Sequence, residues 1–227
     1  MGLRHSLATA SILIALVAPR LAAAVTIDQM DDFEDGTTQG WLVGLLGSLH
    51  PAPPANVATG GPGGVDDNFL LLTAVGGVGA GNRLTIINPA QWAGDYVAAG
   101  VTGIAMDVRN FGNSNLALRL LFEDPSVGPP SNQAVSSSAI SLPAGGDWTH
   151  IVFPITPGDL TAVLGGVDAA LSNATRIRIF HATTAAFPGN PIVAQLGVDN
   201  IRAVPEPGAA MLLAVALGGL ALVRGRA

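Results

Sequence analysis

The chain has 227 residues, 49% of them hydrophobic, a formal net charge of −6 and no cysteine. The missing cysteine excludes disulfides, thiol catalysis, zinc–thiolate sites and iron–sulfur clusters. Fifteen of the sixteen acids but only six of the ten basic residues lie in 25–204, so this stretch carries about −9, and there is no lysine anywhere; general electrostatics therefore argue against nucleic acid as a partner.

The N-terminus reads as a secretory signal peptide over residues 1–24. Arg4 and His5 make a short basic start, 7–18 is apolar, Pro19 ends the apolar helix, and Ala22, Ala23 and Ala24 fit a small-residue cleavage site. Arg20 leaves the exact bond open by a few residues. What remains up to Ala203 is one domain's worth of chain, 25–203, long enough to bury a good core.

Along that domain the pattern is one of short strands and turn-rich connections. A first strand is expected over 25–30, followed by an acidic turn that ends on Trp41, and 41–46 is strand-like. Residues 50–64 carry four prolines and four glycines and read as a loop. Strands follow at 68–74 and 83–87. The clearest alternation comes next: Ile104, Met106 and Val108 face one way, and Leu116, Leu118, Leu120 and Phe122 do the same in the following strand. Residues 110–115 between them read as a hairpin-type loop, and 125–132 as a proline-rich one. Strands are expected at 134–142 and 149–155. Residues 157–164 read as a short helix with Thr156 as cap and Pro157 at its first position, and 168–173 as one more helical turn. Residues 176–181 alternate Ile177 and Ile179 against Arg176, Arg178 and Phe180, and 192–203 is the last strand. Nine or ten strands with at most two short helices predict an all-β, antiparallel β-sandwich, with strand faces that suit a sheet wetted on one side.

The C-terminal stretch 204–227 has three parts. Pro205, Glu206 and Pro207 come first, then sixteen uncharged residues, 208–223, then Arg224 and Arg226. A helix of that length spans roughly 24 Å, short against a bilayer core of roughly 30 Å, and the arginines favour the cytoplasmic side. The order of these parts resembles the PEP-CTERM sorting signal of Gram-negative bacteria. The resemblance implies an exosortase as partner and a transient hold in the inner membrane by a transmembrane helix. It further implies release to the cell surface or extracellular matrix, in association with exopolysaccharide.

Two segments of the domain, DDFEDGTTQGW at 31–41 and GVDNI at 197–201, resemble the opening and closing elements of galactose-binding-like jelly rolls. IAMDVRNFGNSNLALRLLFED and GDWTHIVFPI resemble that fold's central strands. Many bacterial carbohydrate-binding modules belong to it. The resemblance implies a structural calcium ion held by oxygens from Asp32, Glu34, Asp35, Thr37 and Asp199, with Glu34 and Asp199 foremost. Calcium takes six to eight such ligands, and carboxylates crowded into one turn repel unless something neutralises them.

Sugar binding needs an aromatic platform beside hydrogen-bonding groups. Trp92 and Tyr96, in the irregular segment 91–96, are the candidates, whereas Trp41 and Trp148 sit at strand starts and read as packing. Arg109, Arg119, Arg178, Asp107 and Glu123 occupy polar strand faces and could line a shared concave surface; a solvated face with cross-strand ion pairs explains them equally well. His50, His150 and His181 lack metal-ligand spacing, and there is no GxSxG elbow or phosphate loop. Glu123 and Asp124 point to opposite sides of a strand. The expectation is a non-catalytic exported protein with an adhesive or structural role; the alternative is a carbohydrate-binding module with a defined sugar site.

Overall fold

The computed structural model describes residues 24–44, 52–79, 82–124 and 129–205. The signal peptide through residue 23 lies outside the described residues. So do Glu206, Pro207, the apolar run, Arg224 and Arg226; of the sorting motif only Pro205 lies within them. No described helix is long and apolar enough to cross a membrane.

Twelve strands and one α-helix are described: β1 (Met30–Asp31), β2 (Ala55–Val57), β3 (Phe69–Val75), β4 (Thr85–Asn88), β5 (Gly103–Asn110), β6 (Leu116–Asp124), β7 (Asn132–Ser136), β8 (Ile140–Leu142), β9 (Thr149–Pro154), β10 (Leu160–Leu164), α1 (Val167–Ser172), β11 (Arg176–His181) and β12 (Val193–Val204). They form two sheets whose pairings are all antiparallel. The first runs β2-β3-β12-β5-β9 with β1 on β12; the second runs β10-β7-β6-β11-β4 with β8 on β6. The alternating residues explain the layering. Ile104, Met106 and Val108 from β5, with Leu70, Leu72, Leu196 and Val198, meet Leu118, Leu120, Phe122, Ile177 and Ile179 from the second sheet in one buried core. The two sheets thus form the β-sandwich the alternation predicts, but the second is not wetted on one side as expected: β6 and β11 are buried on both faces, with Leu121, Val135, Phe180 and Ala182 forming a second apolar cluster away from the core.

Six local expectations change. The first strand, expected over 25–30, is only Met30–Asp31, and the strand expected over 134–142 is split into β7 and β8. Residues 110–115 do not join a hairpin: β5 pairs with β12 and β9, while β6 pairs with β7, β8 and β11. Both strands bury their even-numbered residues, so the core lies between them and the loop must cross from sheet to sheet. The Phe111 N–H bonds the Gln195 carbonyl at 3.0 Å, and Asn110 ties the turn through Ser114 and Gly112. Residues 157–164 are not one helix. A 3-10 turn, Pro157–Asp159, closes on a Thr156–Asp159 capping box and gives way to β10, which pairs with β7. The loop 50–64 contains β2, and the strand-like 41–46 reduces, among the described residues, to a single bridge between Leu42 and Ile87.

Candidate functional site

Trp92 and Tyr96 do not form a platform. Both are 0% exposed. The Trp92 and Trp41 indole N–H groups donate to Asp31 Oδ2 at 2.6 and 2.7 Å, and Gln91 Nε2 donates to Asp31 Oδ1 at 2.9 Å. Burial pushes the Asp31 carboxyl up, and these three bonds pull it back in part. The Tyr96 hydroxyl donates to the Trp92 carbonyl at 2.8 Å, and its ring meets Phe122 edge-on at 4.9 Å. Burial, and then the charge of Asp31, push the phenol far above its usual range. The segment looked exposed because it lacks periodicity. Its backbone is nonetheless pinned inward, with Gly94 N–H on the Ala174 carbonyl and Tyr96 N–H on that of Leu171.

The five residues expected to hold calcium do not gather. Asp35 accepts from the Thr37 N–H and hydroxyl, both at 2.8 Å, and these bonds hold its carboxyl low. Asp32 accepts from Glu34 N–H and Gln39, and Glu34 accepts from Asn68 N–H at 2.8 Å. Asp199, 1% exposed, accepts from Asn200 N–H at 2.7 Å. Burial first, then the charges of Asp67, Asp107 and Glu34, push it up to about 7. Glu34 is thus the one member of the acidic turn that Asp199 senses. Among the described residues no group of three or more histidine, aspartate or glutamate side chains is placed to hold a metal ion.

A denser arrangement lies on the outward face of the second sheet. Register places Arg176 opposite Glu123, Arg178 opposite Leu121 and Phe180 opposite Arg119, with Gln133 on the far side of Glu123. Paired residues share a face, so the odd-numbered residues of β6 and the even-numbered ones of β11 stand together. Arg176 Nε lies 2.7 Å from Glu123 Oε2, Arg178 Nε bonds the same oxygen, and Gln133 Nε2 donates to Oε1 at 2.8 Å. The side chains of Glu123, Arg176 and Arg178 are 1%, 5% and 11% exposed, so Arg178 reaches furthest toward solvent. Burial draws the Arg178 guanidinium down and Glu123 opposes it. The Phe187 ring lies 4.8 Å from the Arg178 guanidinium, within reach of a cation–π contact. Ala185 and Phe187 pack on the apolar cluster Leu121, Val135, Phe180 and Ala182. Arg119 is buried and donates only to the carbonyls of Ala182, Ser136 and Ser137.

Of the residues expected to contact a ligand, this face therefore brings Arg119, Arg178 and Glu123 together and leaves Trp92 and Tyr96 in the core, while Asp107 and Arg109 lie on β5 in the first sheet and share no surface with them. Arg176, Gln133 and Phe187 belong here and were not singled out. The Arg-Ile-Arg alternation carried the signal for Arg176; nothing in the sequence marked Phe187, which sits in a loop.

The first sheet carries a separate aromatic group. Phe69, Phe111 and Trp148 meet with ring centroids 5.3–6.0 Å apart, and Trp148 Nε1 donates to the Gly60 carbonyl at 2.9 Å. Beside it an open cleft of about 450 Å³ is lined by Phe111, Asn113, Ser114 and Gln195 among others.

No family model matches the chain, and no curated protein matches it. Solved structures do resemble it. The family 11 carbohydrate-binding module from Clostridium thermocellum, in complex with a β-1,3-1,4-mixed-linked tetrasaccharide, is 16% identical, with a TM-score of 0.51 over 80% of this chain and 98% of that one. The solution structure of CtCBM11 is 18% identical, with a TM-score of 0.52 over 82% and 98%. An exo-β-agarase is 14% identical, with a TM-score of 0.54 over 80% of this chain but only 25% of that one. At these identities the likeness is one of fold: a two-sheet antiparallel β-sandwich of the carbohydrate-binding-module kind.

Proposed function

We propose that residues 25–203 are a carbohydrate-binding module of an exported protein, with its ligand face on the outward side of the second sheet. The observation that carries this is the Glu123, Gln133, Arg176 and Arg178 row, pre-set by its own ion pairs and flanked by the Phe187 ring. Polar groups held in place beside an aromatic face are what a sugar's hydroxyls and C–H face require. The fold likeness supports the reading without carrying it, since fold does not fix function. In this reading the role is non-catalytic, in keeping with Glu123 having both oxygens engaged by Arg176, Arg178 and Gln133. Export by the signal peptide, handling by an exosortase and a matrix or cell-surface destination complete the proposal, and rest on residues 1–24 and 204–227.

A glycan array on the purified domain tests it. Binding to a polysaccharide is expected, weakened roughly three- to ten-fold in Phe187→Ala. Silence across the array, with the protein retained in extracellular matrix, would favour a purely adhesive or structural role instead.

A further inference from the structure

The cleft on the first sheet has a floor and a wall, and the backbone sets both. In β3 and β12 the even-numbered residues enter the core, among them Leu72, Ala74, Ala194 and Leu196. Their odd-numbered neighbours face outward in register, Thr73 beside Gln195 and Val75 beside Val193. These two pairs are the floor. The wall is the crossover loop 110–115, seated against β12 by the Phe111 N–H on the Gln195 carbonyl. A Cβ at Gly112 would stand 3.0 Å from the Gln195 nitrogen and 3.3 Å from Ala194 Cα, so only glycine lets the loop lie this close. The Asn110 side chain accepts the Gly112 N–H and donates to the Ser114 carbonyl, and Asn115 accepts the Ala144 N–H. The Phe111 ring is fixed in turn by Phe69, stacked at 5.5 Å, and by the Arg109 guanidinium, 4.7 Å from its centroid. The opening is therefore preformed.

Its chemistry is mixed and uncharged. Val75 and Val193 are 46% and 66% exposed, an apolar pair left open to solvent near the half-buried Phe111. Thr73, Asn113, Ser114 and Gln195 add two hydroxyls and two amides. Among the described residues, none of these four side chains is used in a hydrogen bond within the protein. Hydroxyls and amides both donate and accept, as sugar hydroxyls do, and an apolar surface beside them takes the C–H face of a ring. The volume of about 450 Å³ falls within the range of ligand clefts, roughly 300–1,000 Å³. Among the described residues no charged side chain lines the cleft, and Arg109 is turned to the Gly146 carbonyl and Asp147. An anion would find no counter-charge there, and a domain near −9 repels it.

We propose that this cleft is a second glycan site, taking uncharged sugars, and that the protein joins two polysaccharide chains, one on the outward face of each sheet. The proposal rests on the carbohydrate-binding reading and adds a site to it. Sites that face opposite ways take separate chains, so the protein acts as a non-covalent cross-link and gains avidity where polymer is dense.

The test is affinity electrophoresis of the purified protein in gels containing neutral β-glucan, xylan or galactomannan, with alginate as the anionic comparison. Turbidity is then followed as the protein is mixed with whichever polymer retards it. Asn113→Ala combined with Gln195→Ala, both exposed side chains, alters the cleft, and Phe187→Ala alters the second sheet. Each is expected to weaken retardation by a neutral polymer roughly three- to ten-fold, and the two together to abolish it, with unfolding midpoints recorded for all. Turbidity of the wild type is expected to peak at an intermediate ratio of protein to polymer, and each variant to lose that peak while still being retarded. Unchanged retardation and turbidity in the folded cleft variant would overturn the second site and leave carbohydrate binding standing. Retardation by alginate and by no neutral polymer would overturn it too. Retardation lost in the cleft variant and unchanged in Phe187→Ala would uphold the cleft as a glycan site and overturn cross-linking. No retardation in any gel would overturn both readings.

Discussion

Asp31 is the residue on which the interior most depends. One buried carboxylate takes the indole N–H groups of Trp41 and Trp92 and the amide of Gln91, three donors from two distant segments. Removing it strands all three. Asp31→Leu is expected to destabilise the fold by about 3 to 5 kcal/mol, read in urea unfolding followed by tryptophan fluorescence. A loss under about 1 kcal/mol would mean that the indoles find other acceptors. His181 makes a second residue-scale prediction. Its Nδ1 accepts the Ala117 N–H at 3.0 Å, which needs the neutral ring, and burial lowers its pKa below the ordinary 6.5. Below that value the unfolded chain binds a proton that the folded one resists, so this contribution to stability is present above pH 6.5 and lost as the pH falls. Asp199 tilts the other way. Its folded pKa of about 7 exceeds the ordinary 3.8, so its contribution is lost as the pH rises between them. The readout is therefore the difference between wild type and His181→Gln, which keeps an acceptor but does not titrate. The wild type is expected to lose more stability than the variant between about pH 7 and about pH 5.5. Parallel curves would show that the His181 ring does not resist protonation. Run with chelator and then with calcium, the same melts test the ion: a calcium-dependent rise lost in Asp199→Asn would support calcium at Glu34 and Asp199, and no shift would count against it.

At the scale of elements, Gly197 sets how the first sheet meets its aromatic cover. A Cβ there would stand 2.7 Å from Phe111 and 2.8 Å from Trp148, closer than real side chains come, so both rings lie directly on the β12 backbone. Gly197→Ala is expected to cost about 1 to 3 kcal/mol by overpacking and to shift the emission of Trp148. It should leave glycan binding at the second sheet unchanged, because that face lies across the core; a folded Gly197→Ala that loses all binding would place the only site at Phe111 and Trp148. The two sheets also show what a sequence can tell. Period two in β5, β6 and β11 revealed which residues share a face, and so put Arg119, Arg178 and Glu123 on polar faces. It carries no information on which strand lies alongside. The crossover at 110–115 therefore looked like a hairpin, and β2 was hidden among prolines and glycines. For β10, Thr156 and Pro157 were correct helix-start signals, but the turn they start lasts three residues before pairing with β7 takes over. The ligand face depends on long-range pairing, and its aromatic partner, Phe187, comes from a loop.

At the scale of the molecule, the ends of the domain are tied into it. Val25 is buried and its N–H bonds the Ala93 carbonyl at 2.9 Å. At the other end Val204 pairs with Gly103, and its carbonyl takes the Thr102 N–H at 3.0 Å. β12 lies between β3 and β5 in the first sheet and also holds β1; its first half pairs with β3, and its last residues anchor β5 and β1. A chain of residues 24–205 is therefore expected to fold alone and to melt within about 3 °C of one that keeps the flanking segments, a difference of under about 1 kcal/mol. Ending the chain after Asp199 removes the pairings of Arg202, Ala203 and Val204 with β5 and of β1 with Ile201 and Arg202, and should abolish cooperative unfolding. The same geometry constrains processing of the tail. A cut after Val204 preserves the whole of β12; one before it removes ladder bonds the sheet needs. Mass spectrometry of the protein recovered from an exporting host should accordingly find a C-terminus at or beyond Val204 and short of Ala227. An intact Ala227 would argue for a retained anchor, and a terminus before Val204 would mean that the sheet tolerates losing its longest strand's end.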